Sequence, residues 1–131
     1  MKRFLTTCAG ILFASAILAA ASEVSWPALS EFKSTSHKAA TTSEVSAGAA
    51  VFVLQDAGKP IGHPIDIELP QYAFHVDADS GEKRPCVVIQ AEEARGQRLI
   101  GAYVLPERTL LAGFYNEFQL LGTSPPHSGA K

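Results

Sequence analysis

The side chains best suited to chemistry in this chain are His63, Asp66, Glu68 and His75. Side chains at i and i+2 of an extended segment share a face, so Asp66 and Glu68 point the same way if residues 65–69 form a strand. A following strand that folds back would set His75 across from them. Two carboxylates with two histidines are ligands for zinc or manganese, so a transition metal is the one cofactor this chain suggests. The competing reading is a solvated face, because no H-E-x-x-H or comparable spacing fixes the four residues in register.

Residues 56–64 hold two glycines and two prolines and read as an irregular connection. Loops carried on a rigid scaffold often do the recognising, and Lys59, Pro60, Ile61, Gly62 and His63 form the candidate binding loop. A plain connector is the alternative. Asp77, Asp79, Ser80 and Gly81 imitate the start of a calcium loop, but Gly81 stands fifth rather than sixth and Val88 occupies the twelfth position, where a carboxylate is needed. A turn explains them. The chain has no G-x-S-x-G, no P-loop, no C-x-x-C and no G-x-G-x-x-G, so hydrolase, nucleotide and redox readings have no foothold.

What must position these residues begins after an export signal. Lys2 and Arg3 form a basic start, residues 4–18 are mostly apolar, and Ala19 and Ala21 fit an A-x-A cleavage rule. Residues 1–21 therefore read as a signal peptide, and the polar interruptions leave too short a run for a stable span after cleavage. Cys8 lies too close to the basic end to be a lipidation site. Removing Lys2 and Arg3 takes the 11 basic residues to 9 against 13 acidic ones, a net charge of −4 with histidine neutral. Phosphate backbones need clustered Lys and Arg, so nucleic acid is excluded as a partner. Cys86 is left alone in a compartment where thiols oxidise, and its apolar neighbours point to a buried, inert thiol.

The mature chain divides by texture. Residues 22–47, rich in Ser, Thr and Ala, read as a flexible leader with a sticky start at Trp26, Leu29 and Phe32 that could form a short docking turn. Residues 123–131 read as a disordered tail. Between them, residues 48–122 alternate β-branched and aromatic runs with Gly, Pro and Asp clusters at strand-like spacing. The strands are expected at residues 50–55, 65–69, 71–76, 86–91, 98–105 and 110–121, with short antiparallel connections.

Five or six strands in so short a domain would best hide their edges by curling, which predicts an all-β antiparallel sheet rolled into a small, partly closed barrel. Phe52, Leu54, Tyr72, Phe74, Val87, Ile89, Tyr103, Phe114, Phe118 and Leu120 are its expected core. The function that follows is an exported, non-enzymatic binding or accessory module that recognises a protein or an envelope polymer through a sheet edge or the 56–64 loop, with no cofactor. Two other readings stand beside it. One is a small exported metal-binding protein or metalloenzyme using His63, Asp66, Glu68 and His75; the other is a homo-oligomeric structural component.

Overall fold

A computed structural model describes residues 24–126. The expected signal peptide, Cys8 and His127 lie outside the described residues. Pro27–Pro126 forms one compact unit, and Val24, Ser25 and Trp26, which lie outside that unit, carry no helix or strand.

The unit is built from eight strands, β1 (Gln55–Asp56), β2 (Lys59–Pro60), β3 (His63–Pro64), β4 (Gln71–Val76), β5 (Lys83–Ala94), β6 (Gln97–Val104), β7 (Thr109–Phe114) and β8 (Phe118–Gly122). Strands β3 to β8 make one antiparallel sheet in the order β7-β6-β5-β4-β8, with β3 pairing β5 beyond the end of β4, and β1 with β2 is a separate two-stranded ribbon. The all-β expectation holds. Two of its turns are two-residue loops with both central residues at positive φ, Ala57-Gly58 and Arg95-Gly96. That backbone twist matches the flanking strands. The 77–82 turn is held by Asp77, whose Oδ1 accepts the N–H groups of Asp79 and Ser80 at 2.8 and 3.1 Å.

The sheet is not closed into a barrel. Its edges, β7 and β8, are not paired with each other, because the chain between them is a 3-10 turn, Tyr115–Glu117, rather than a hairpin. Four Cα steps from Phe114 to Phe118 span at most ~15 Å, whereas the edges of a flat five-strand path would lie ~19 Å apart. The sheet must therefore curl. The expected single run over residues 110–121 is interrupted at this turn.

The inside of the curl holds Ala73, Cys86, Val88, Ala91, Ile100, Ala102 and Phe118, with Ile65, Ile67, Leu69, Leu111, Tyr115 and Leu120 packed against them. Ile65, Ile67 and Leu69 alternate with exposed Asp66 and Glu68 as expected. They are not in a strand, since Ile67 N–H turns back to the Ile65 carbonyl at 2.8 Å and bends the segment.

The outer face is covered by residues 27–54, most of which read in sequence as a leader. Tyr72 donates its hydroxyl to the Pro27 carbonyl at 2.6 Å. Phe32 packs on Tyr103 with ring centroids 5.5 Å apart. Thr35 N–H reaches the Ile89 carbonyl of β5 at 3.0 Å. A five-residue helix, α1 (Thr42–Ser46), is closed by a capping box in which Thr41 and Glu44 satisfy each other's backbone N–H groups. The composition hides this docking because what is buried is small, Ala40, Ala49 and Ala50, and because backbone groups supply much of the hydrogen bonding.

Residues 50–54, expected as a central strand, instead lie over a β-bulge in β5. The register of β5 on β6 shifts between Val88 and Gln90, which sends Gln90 and Glu92 to the outer face. There Gln90 Oε1 accepts Val51 N–H at 2.6 Å and Phe52 N–H at 3.1 Å, and its Nε2 donates to the Phe52 carbonyl at 2.8 Å. Only Gln55 and Asp56 continue into a ladder.

Candidate functional site

The four expected metal ligands are not brought together. His63, Asp66 and Glu68 are exposed on β3 and the bent segment after it. His75 is buried, 6% exposed, on β4. Its Nε2 lies 2.9 Å from Glu117 Oε1, and its Nδ1 accepts from the Arg84 guanidinium at 3.3 Å. With Nδ1 accepting, Nε2 carries the proton and donates to Glu117. Both ring nitrogens are engaged, and the ring packs on Phe118 at 4.9 Å between centroids. His75 thus ties β4, β5 and the 3-10 turn together where the sheet curls. No group of three or more His, Cys, Asp or Glu side chains able to hold a metal ion occurs among the described residues.

Three of the five residues of the expected binding loop are built into the fold. Lys59 and Pro60 are exposed on the ribbon, but Ile61 N–H is bonded to the Leu54 carbonyl at 2.7 Å. His63 pairs in register with Glu93. Gly62 is buried against Glu92: a Cβ at Gly62 would stand 1.9 Å from Glu92 Oε1.

Glu92 is the most unusual titratable group here, at 1% exposure. Its Oε2 accepts Ala40 N–H at 2.9 Å and Gln90 Nε2 at 3.1 Å, while Oε1 has no partner. Burial pushes its pKa above the ordinary carboxylate value, against the lowering effect of the Gln90 and Ala40 hydrogen bonds, and nearby Glu44 adds to the rise. This carboxyl anchors the cover at Ala40 and is sealed from solvent. Cys86 is likewise closed off, fully buried, with its thiol pushed up to about 12 by desolvation.

Of the two sheet edges, β7 is the one that exposes large apolar side chains. Leu110 and Phe114 are 53% and 48% exposed, and Ala112 between them is exposed as well. The alternate residue Leu111 packs on the core. These outer-face side chains are open because the cover stops one strand short. On β6, Tyr103 lies under Phe32 and Gly101 is close-packed beneath Val51, yet their β7 partners, Leu110 and Ala112, are exposed. No charged residue stands between Thr109 and Phe114, and β7 ends the strand order, so its outward backbone edge is unpaired in the sheet.

Beyond Phe114 the edge meets a cavity of about 340 Å³ lined by Gly96, Gln97, Arg98, Phe114, Tyr115 and Asn116. The Arg98 guanidinium lies over the Tyr115 ring, 4.1 Å from its centroid. Sequence reasoning missed this cavity and placed Phe114 in the core. The alternation of Leu110, Ala112 and Phe114 against Leu111 was the available signal.

Comparison with protein-family models, with curated proteins and with solved structures finds no match to this chain. Among the described residues, no helix is long and apolar enough to cross a membrane.

Proposed function

We propose that the chain is an exported, non-enzymatic binding module that takes an extended segment of a partner protein onto β7 by strand addition. The observation that carries this reading is the unpaired, uncharged β7 edge with Leu110 and Phe114 half exposed on one face. Soluble proteins usually blunt such an edge with charge, proline or a covering element. An edge offers alternating N–H and C=O groups, which match a polypeptide strand better than an envelope polymer, and the exposed side chains add selectivity. Export rests on the basic and apolar start of the sequence.

The test is copurification from the exported fraction of the source cells. A partner held by the native protein should be lost with Leu110→Lys/Phe114→Lys and retained when residues 59–63 are replaced by Gly and Ser. Loss with the loop replacement alone would move recognition to Lys59, Pro60, Ile61, Gly62 and His63. Retention with both, or no partner, would overturn the reading.

A second reading is favoured by the symmetry of β7. Leu110 and Phe114 are equidistant from Ala112, so an antiparallel second copy would set Leu110 against Phe114 twice, a homo-oligomeric component with a continuous sheet. A contact confined to one six-residue strand is small beside the ~1,200–2,000 Å² of a stable interface. Static light scattering at micromolar concentration separates the two, a monomer supporting the partner segment.

A further inference from the structure

Resting on that reading of β7, we infer that the partner segment bears a carboxylate that enters the cavity beside Arg98. Arg95 is paired with Asp56 and Arg108 with Glu31, whereas Arg98, which is exposed, has no carboxylate partner among the described residues. Glu93 stands opposite it in the β5–β6 register but forms no ion pair with it. Glu117, on the nearby 3-10 turn, is committed to His75.

The guanidinium instead lies over Tyr115, which holds it at the cavity wall with its N–H groups free for a ligand. A planar fork of donors held in this way matches a carboxylate through two parallel hydrogen bonds. Gln97 and Asn116 add amide groups to the same cavity, and Phe114 gives it an apolar side. A cationic segment would set like charges together there. Since the cavity adjoins the end of β7, the partner's apolar residues should alternate along the strand, with the acid about one or two residues past the position beside Phe114.

The carboxylate has two sources, an Asp or Glu side chain or a chain end, and the probe separates them. Phage-displayed random ten-residue peptides, one library fixed at the C-terminus and one ending in a free carboxylate, are selected on the native protein, on Arg98→Gln and on Leu110→Lys. The expected winners on the native protein combine apolar alternation with an acid and bind Arg98→Gln at least ~10-fold more weakly. Enrichment in the first library assigns a side chain, and enrichment confined to the second assigns a chain end. Winners without an acid, or with equal affinity for Arg98→Gln, overturn the carboxylate; if they still fail on Leu110→Lys, the edge reading stands without it. Winners indifferent to Leu110→Lys, or no winners, overturn both.

Discussion

The side-chain amide of Gln90 pairs with both backbone groups of Phe52, donating to its carbonyl at 2.8 Å and accepting its N–H at 3.1 Å. A buried side chain thereby does what a neighbouring strand would do, and it holds the 50–54 segment over the sheet without a ladder. Gln90→Leu leaves Val51 N–H and both Phe52 groups without that partner. The expected loss is about 2–3 kcal/mol in urea unfolding, and a loss below ~0.5 kcal/mol would show that the cover is held by other contacts.

Glu92 sets a pH dependence of known sign. Its folded pKa lies above the ordinary value of 4.5, chiefly through burial. The folded protein therefore holds the proton more tightly, its contribution is complete below pH 4.5, and stability falls as pH rises through the folded pKa. Glu31, held down by Arg108, and Asp77, held down by the Ser80 and Asp79 N–H groups, act oppositely, losing stability as pH falls below the ordinary carboxylate range. Urea midpoints for the native chain and Glu92→Gln across pH 4–8 isolate Glu92. The native chain should lose stability over this range relative to the variant, and parallel curves would contradict the burial.

Gly62 exists to admit that carboxyl. A Cβ at this position would meet Glu92 Oε1 at 1.9 Å and Cδ at 2.9 Å, so Gly62→Ala should destabilise by about 1–3 kcal/mol. Glu92→Ala in the same chain removes the clash. A double-mutant cycle should then show a coupling of at least ~1 kcal/mol, and additive losses would place the strain elsewhere.

Cys86 should be inert. Its thiol is fully buried with a pKa pushed up to about 12, so an uncharged maleimide should label native protein far more slowly than unfolded protein. Cys86→Ser should cost ~1–3 kcal/mol for a hydroxyl buried without a partner. Fast native labelling would mean that β5 is open to solvent at Cys86.

The strands whose apolar runs bury side chains on regular ladders, as at residues 71–76 and 86–91, are legible in the sequence. Segments held by backbone groups or small side chains are not. The 27–47 segment docks through Ala40 and through N–H groups captured by Glu92 and Ile89, none of which alters hydrophobic periodicity. Residues 50–54 are apolar enough for a strand, yet their partner is the side chain of Gln90. A β-bulge shifts that side chain to the outer face, and a bulge leaves no mark in composition. His75 was legible as a functional type but not as a position, because Glu117 reaches it only through the turn that curls the sheet. Phe114 was misplaced because exposure on an edge depends on where the cover ends, which is a tertiary fact.

Site-specific photo-crosslinking in the source cells tests whether β7 is the contact surface. A benzophenone side chain is placed at Leu110 or Phe114, at Lys59 in the candidate loop, and at Asp79 in the 77–82 turn as a control. A discrete adduct is expected from positions 110 and 114, larger than a dimer of the chain or different from it in mass, and none from 59 or 79. An adduct from Lys59 alone, or no adduct from either β7 position, would contradict it.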